Sequence, residues 1–455
     1  MRVAMLTPLP PARTGVAHYA SMVLRGLRES PGLRVSGSPS IDAIGSLGDW
    51  ETRRPGDYDA FLYQLGNNPH HEWIYAEAMK RPGVVVLHDL VLHHLIVEMT
   101  LARGDADAYV EALRANHGEA GAAWARGRAA GLHSEMGNFL LPASVDVAQR
   151  AKSVIVHNRY AAERLRSFGV TTPIHVVPHP YVRETRAFPR GDANKRVIGF
   201  FGFLTSAKRA EVVLEAFRIA RVRDPRLELL IVGEPAPNID VDSLKGEGIT
   251  LTGYVGDDDF PRYYAVAARF VNLRYPTAGE TSGTLIRALD AGKPVAVSDY
   301  AQFAELPDDV VFKVPLGDGE VERLVEFFVS DLPDPSTKQR AWLEENAALE
   351  KTVEGYLRAL EGGERTTART IDALPIFPSI ALVSRTPLVI RNAGPSTIRT
   401  RTYGEPELRI IVRSASGDEW LSLPKDLHPG EIVELKARAT DFTIHFALQD
   451  IPDVR

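Results

Sequence analysis

The sequence predicts an α/β chain of two Rossmann-like domains, followed by a small all-β sandwich module. Three observations predict it. Apolar, β-branched runs alternate with stretches of helical or loop character over the first part of the chain. That alternation restarts near residue 195. After Leu360 the text changes to short alternating runs separated by turn residues.

The first series of runs is Arg2–Leu6, Ala60–Leu65, Val84–Leu87, Ser153–Val156 and Ile174–Val177. Each is short and continuously apolar, as strands covered on both faces are. Between the first two, Val16, Tyr19, Ala20, Val23, Leu24 and Leu27 recur at helical spacing, so Val16–Leu27 is a helix with one apolar face. The second series opens with Val197–Phe203 and a helix from Ala210 to Val222. Leu227–Val232, Ile249–Val255, Phe270–Leu273, Pro294–Ser298 and Val310–Val314 follow. Between the series, Pro178–Asn194 carries three prolines and three arginines, and Tyr181–Asn194 is polar and without periodicity, which marks a hinge. The expected division is therefore 1–183 for a first Rossmann-like domain and 184–362 for a second. A linker follows at 363–375 and a sandwich at 376–455. The sandwich strands are expected at Ser379–Val383, Pro387–Arg391, Glu407–Arg413, Ile432–Ala437 and Phe442–Leu448.

Composition narrows the function. The chain has 455 residues with 59 acidic and 53 basic side chains, a net charge of −6, which speaks against a nucleic-acid partner held by phosphate neutralisation. It has no cysteine, so disulfides, thiolate nucleophiles and zinc–cysteine sites are excluded. The apolar start runs at once into Thr7-Pro8-Leu9-Pro10-Pro11, unlike a signal peptide, and no run approaches the ~20 apolar residues that span a bilayer. A cytoplasmic protein is expected, at most peripheral at the inner face of the membrane.

Four segments carry candidate chemistry. Thr7–Gly15 joins the first strand to a helix, where open α/β sheets bind ligands; Gly15 would let a phosphate or sugar approach the backbone. His88-Asp89 ends a strand and would face the cleft, positioning a sugar hydroxyl. His93-His94 follow; the spacing could suggest a metal, but no second carboxylate supports one, and a capped strand end with surface histidines is the plain alternative. Gly202-Phe203-Leu204-Thr205-Ser206-Ala207-Lys208-Arg209 puts two cations after a strand, suited to a diphosphate or else merely solvated. Arg274–Leu285 is the densest segment. The backbone N–H groups of Thr281, Ser282, Gly283 and Thr284 would start a helix and point at an anion. Glu280 would accept hydrogen bonds from sugar hydroxyls, or act only as a helix-dipole partner. Asp257-Asp258-Asp259 mimics a metal motif but reads as the acidic opening of a helix, Phe260–Ala267.

Taken together these segments resemble glycosyltransferase family 4, the retaining sugar transferases of GT-B fold. The resemblance covers residues 1 to about 360 and rests on Gly15, on Gly202-Phe203-Leu204 with Lys208, on Gly253-Tyr254-Val255, and on Gly279-Glu280-Thr281-Ser282-Gly283 running into Ala291-Gly292-Lys293-Pro294-Val295. It implies two domains facing across a cleft, 1–183 on the acceptor side and 184–362 binding the nucleotide sugar, and metal-independent transfer of a hexosyl unit from a nucleoside-diphosphate sugar, with no further cofactor, to a glycan or lipid-linked acceptor. The longer pattern Arg-Tyr-Pro-Thr-x-Gly-Glu-Thr-Ser-Gly looks like a divergent subgroup associated with bacterial surface polysaccharides. Lys208, Glu280, Asp89 and His88 would be the catalytic set; Gly15, Arg209, Thr281, Ser282, Gly283 and Thr284 would hold the donor. Two departures stand out. Phe203 occupies the place of an arginine, which Arg209 would replace. The second glutamate of the family's pair is absent, Ala288 standing there beside Arg287. A degenerate glycan-binding scaffold and a GT-B nucleotide-sugar epimerase are the alternatives. The module from Ile376 on resembles β-sandwich domains appended to such enzymes, with glycan binding or a structural role expected.

Overall fold

The computed structural model describes residues 1–12, 14–30, 34–35, 38–39, 41–131, 135–189, 191–192, 194–256, 258–363, 380–392, 407–415, 417–428, 430–438 and 443–449. Two six-stranded parallel sheets form two lobes. In the first lobe the spatial order is Ile41–Ile44, Val3–Leu6, Ala60–Leu65, Val84–Leu87, Ser153–Val156, Ile174–Val176. In the second it is Ile249–Leu251, Leu227–Val232, Arg196–Phe201, Arg269–Asn272, Val295–Ser298, Phe312–Val314. Chain direction across each sheet reverses once. It does so beside Val3–Leu6 in the first lobe and between Arg196–Phe201 and Arg269–Asn272 in the second. Ligands of open α/β sheets bind at such reversals.

Strand alternation feeds two cores per lobe. Val3 and Met5 pack with Tyr19, Val23 and Leu27 on one face, while Ala4 and Leu6 join Tyr63, Leu87 and Val156 on the other. In the second lobe Ile198 and Phe200 face Leu214 and Phe217, while Phe201 faces Tyr264, Phe270 and Leu289. The first helix runs Gly15–Glu29 with Thr14 as N-cap, its hydroxyl accepting from the Ala17 amide at 3.1 Å.

The chain returns at its end to where it began. Helix Leu349–Glu361 packs on the first lobe, and Val353, Tyr356 and Ala359 complete the core around Tyr19 and Leu24. The Tyr356 and Tyr19 hydroxyls lie 2.9 Å apart, Gln64 Nε2 donates to Tyr356 Oη at 3.0 Å, and Ser153 Oγ donates to the Ala359 carbonyl at 2.7 Å. Residues 349–361, grouped by sequence with the second lobe, thus belong by packing to the first. Two three-stranded antiparallel sheets follow. They are Ile380–Arg385 with Leu388–Asn392 and Ile432–Leu435, and Gly417–Ser422 with Glu407–Ser414 and Thr443–Gln449. Leu388, Ile390, Ile410, Val412, Leu423 and Leu427 form their shared core, as a small sandwich requires. The linker 364–375 and the turn residues Ala393, Gly394, Ser416 and Pro429 lie outside the described residues. Among the described residues no helix is long and apolar enough to cross a membrane.

Candidate active site

Both strands that flank the second lobe's reversal end in loops that lean on each other: the Tyr275 amide donates to the Ala207 carbonyl at 2.8 Å. Lys208 lies in a single 3-10 turn, Ser206–Lys208, and its side chain turns back under the sheet, 6% exposed, with Nζ donating to the Phe201 carbonyl. Gly202, at φ 94°, explains the close approach: a Cβ there would sit 2.6 Å from Lys208 Nζ and 3.2 Å from Thr284 Cγ2. The amine therefore lies between the strand end and the first turn of the helix that follows the Arg274–Thr281 loop. Burial, and then the charge of Arg274, hold Lys208 well below the ordinary lysine range, with Glu280 pulling the other way.

That helix is Gly283–Asp290, two residues later than Thr281. Thr281 belongs to the loop, and Ser282 is the N-cap, its Oγ 3.3 Å from the Leu285 amide. Gly283 and Thr284 are the first helical residues, whose N–H groups have no acceptor within the helix. Ser282 also shares its hydroxyl with Thr284 Oγ1 at 2.9 Å. Glu280 sits before the cap. Its Oε1 lies 2.5 Å from Arg274 Nε, without hydrogen-bond alignment, and its Oε2 accepts from Thr277 Oγ1 at 3.1 Å. Gln302 Nε2 donates to the Glu280 carbonyl at 2.8 Å.

Arg209 does not replace the cation missing at Phe203. It forms a bidentate pair with Glu320, Nε to Oε1 at 2.8 Å and Nη2 to Oε2 at 2.6 Å, and Glu320 is itself buried. The second cation beside Lys208 is Arg274, to which sequence reasoning assigned no role. Phe203 is 55% exposed on the same loop.

The first lobe brings Asp89 to this neighbourhood. Asp89 follows the strand Val84–Leu87 and accepts from the Asn67 amide at 2.7 Å. Burial, and then the Glu280 carboxylate, push it up to about 7, against the Asn67 N–H and Arg274. His88 does not stand free in the cleft. Its Nε2 is 2.5 Å from Gln64 Oε1 and its ring packs on Tyr19 and His157, centroids 4.6 and 5.1 Å away. Burial, and then His157, His71 and His179, hold it well below the ordinary histidine range. Gly15 opens its helix, and a side chain there would meet no atom within 4 Å. His93 is structural, bonded to the Leu141 carbonyl at 2.5 Å and Tyr109 Oη at 2.6 Å, and His94 Nδ1 is 2.7 Å from Asn67 Nδ2. Among the described residues no group of three or more His, Cys, Asp or Glu could hold a metal ion. Asp259 precedes helix Phe260–Val266 without a side-chain cap, and Asp257 lies outside the described residues.

Several residues escaped sequence reasoning: Asn158, His179 and Glu305, which join the lobes, and Gln64 and Tyr356, which tie the returning helix to the first lobe. They carry no local motif; only Asn158, one residue past the end of a strand and its flanking His157, occupies a position that could have flagged it.

Two parallel-sheet lobes, joined through loops that follow their strands, are the GT-B architecture. Residues 195–327 match the family model for glycosyl transferases group 1. A mannosylfructose-phosphate synthase of Agrobacterium fabrum is 31% identical over 153 residues, 28% of this chain. The match spans only 32% of that relative's length. Among solved structures, Anabaena Alr3699/HepE in complex with UDP and glucose superimposes with a TM-score of 0.52 at 15% identity, over 79% of this chain and 99% of that one. The same protein with UDP-glucose gives 0.52 at 15%. At this identity the likeness concerns the fold.

Proposed function

We propose that the chain is a retaining, metal-independent glycosyltransferase. It moves a hexosyl unit from a nucleoside-diphosphate sugar to a glycan or lipid-linked acceptor in bacterial surface polysaccharide synthesis, at the cytoplasmic side of the membrane. One observation carries the reading: Lys208, Arg274 and Glu280 of the second lobe share an electrostatic neighbourhood with Asp89 of the first.

The donor diphosphate meets the amides of Gly283 and Thr284 and the amine of Lys208. Its negative charge favours the ammonium form that burial disfavours, so a bound donor raises the affinity of Lys208 for its proton. Glu280, already oriented by Thr277 and Arg274, accepts from sugar hydroxyls. The C1–O bond breaks and its electron pair goes to the leaving phosphate, stabilised by Lys208. The acceptor oxygen attacks from the same face, and its proton passes to the leaving phosphate oxygen. Asp89 orients sugar or acceptor from the first lobe, and His88, bonded to Gln64 Oε1, backs it. Lobe contact excludes water from the oxocarbenium-like sugar.

The test is a thermal-shift screen of UDP-, GDP-, ADP- and dTDP-sugars, followed by product analysis. HepE was solved with UDP, so UDP-glucose goes first. No shift with any of them, and no product, would sink the reading. A second reading, a degenerate scaffold, is favoured by Arg209 being spent on Glu320 and by Phe203 standing in the arginine's place. Donor binding without turnover across acceptors would select it.

A further inference from the structure

We propose that Asn158 is a positioning residue for Glu280, making the sugar-side loop of the second lobe answer to contact with the first. The proposal rests on reading Glu280 as a donor-sugar ligand.

Asn158 follows strand Ser153–Val156 and His157, caps helix Arg159–Ser167, and is 7% exposed. Its Oδ1 accepts from the Ala161 amide at 2.8 Å. An amide nitrogen cannot accept a hydrogen bond, so this contact fixes which way the side chain points. Nδ2 then has two protons to donate. It lies 2.9 Å from the Gly279 carbonyl and 3.3 Å from Thr281 Oγ1. Those residues flank Glu280, so one side chain of the first lobe grips the loop on both sides of the carboxylate.

The surroundings reinforce that grip. The Val91 amide donates to the Ala278 carbonyl at 3.0 Å. Gly279, at φ 75°, lets Leu90 come so close that a Cβ would sit 2.6 Å from the leucine Cβ. From the second lobe, Glu305 reaches over to the helix Asn158 caps, accepting from the Tyr160 amide at 2.6 Å and the Arg159 amide at 3.2 Å. Within its own lobe the Glu280 backbone is tied by Gln302. Separation of the lobes would break the Asn158 contacts and leave Glu280 to Gln302, Thr277 and Arg274 alone. Asn158 thus couples closure to the geometry of the residue that would grip the sugar, and does so rigidly because its other end is a helix cap.

Two variants of the full chain separate this role from capping. Asn158→Asp keeps an oxygen for Ala161 but has no donor for Gly279; Asn158→Ser caps as well but is too short to reach the loop. Both are expected to keep the helix cap, because Asn, Asp and Ser cap comparably, so Tm should fall by no more than several degrees, the cost of one lost buried hydrogen bond. Both are expected to raise amide exchange across residues 277–282 by about tenfold or more. With the donor that wild type uses, kcat should fall about ten- to a hundredfold while donor KM changes far less. Unchanged exchange and kcat in both variants would overturn the proposal, as would activity losses that merely track a lowered Tm. Wild type that turns over no nucleotide sugar would refute the donor reading, and the exchange result alone would then decide whether Asn158 holds the loop.

Discussion

Arg274 holds its Nε 2.5 Å from Oε1 of Glu280, and the pair is enclosed, Arg274 being 8% exposed. The same carboxylate raises Asp89 across the cleft. Glu280→Gln therefore has three expected effects. Donor kcat/KM falls by about a hundredfold, on the scale of losing one group aimed at a transition state. Stability falls by about 1–3 kcal/mol, because Arg274 loses its counter-charge. The Asp89 titration moves down from about 7, because the neighbouring negative charge that raised it is gone. A kcat/KM pH profile of the variant, compared with wild type, checks the last point. Full activity per folded molecule would make Glu280 structural.

Lys208 presents the opposite balance. It is buried and held well below its usual pKa, with its amine on a backbone carbonyl. Lys208→Met keeps the volume and removes the desolvated amine, so Tm should hold or rise. Donor affinity should fall at least about tenfold, and kcat by a similar factor, since the leaving charge is no longer balanced. Calorimetry of wild type in two buffers of different ionisation enthalpy should show uptake of up to about one proton per donor bound. No proton uptake, with unchanged affinity in the variant, removes Lys208 from the donor site.

The first lobe should be acid-sensitive. Burial lowers His71 and His157 to about 4 and His93, His117 and His179 to about 3, from the usual 6.5. Between those values the unfolded chain binds protons the folded chain does not, so stability is lost as pH falls below 6.5. Asp89 works the other way: raised to about 7, it adds stability that is lost as pH rises through 7. One carboxyl stands against these five imidazoles and His88, which burial also lowers. Tm should be near its maximum at neutral pH and fall steeply from pH 6.5 to 4.5. A Tm flat down to pH 5 contradicts the burial of these rings.

Legibility in the sequence followed locality. Ala60–Leu65, Val84–Leu87 and Leu227–Val232 are strands over the residues their apolar runs mark, because parallel strands buried on both faces leave an unbroken signal. Ile41–Ile44 and Gly417–Ser422 were not legible: Asp42 bonds Arg2 and Tyr58, and Gly-Asp-Glu interrupts the second run. The loops bearing Lys208 and Glu280 could be read because both follow strand ends. The pairing of Arg209 with Glu320 could not, since 111 residues separate them. For the same reason nothing local in Asn158 or Tyr356 announces its partner in distant sequence.

The returning helix gives the last prediction. Leu349–Glu361 fills the groove beside Gly15–Glu29, where a Cβ on Gly26 would lie 2.6 Å from Val353 Cγ2 and 3.3 Å from Leu349 Cγ. Thr352 Oγ1 also donates to the Pro178 carbonyl at 3.0 Å, so the helix staples the hinge as well as the core. Ending the chain at Gly363 removes only the linker and sandwich, and the two lobes should keep their Tm to within a few degrees. If the sandwich binds acceptor, acceptor KM rises in that truncation while donor KM does not. Ending the chain at Ala348 instead uncovers Tyr19, Val23 and Leu27 and leaves the Tyr19 hydroxyl without Tyr356, so the first lobe should lose cooperative unfolding. Tyr356→Phe is the milder case: it strands two buried polar partners, Tyr19 Oη and Gln64 Nε2, for about 1–3 kcal/mol. Identical melting of the chains ending at 348 and 363 would mean that the helix merely rests on the first lobe, and the boundary drawn by sequence near residue 184 would then be the physical one.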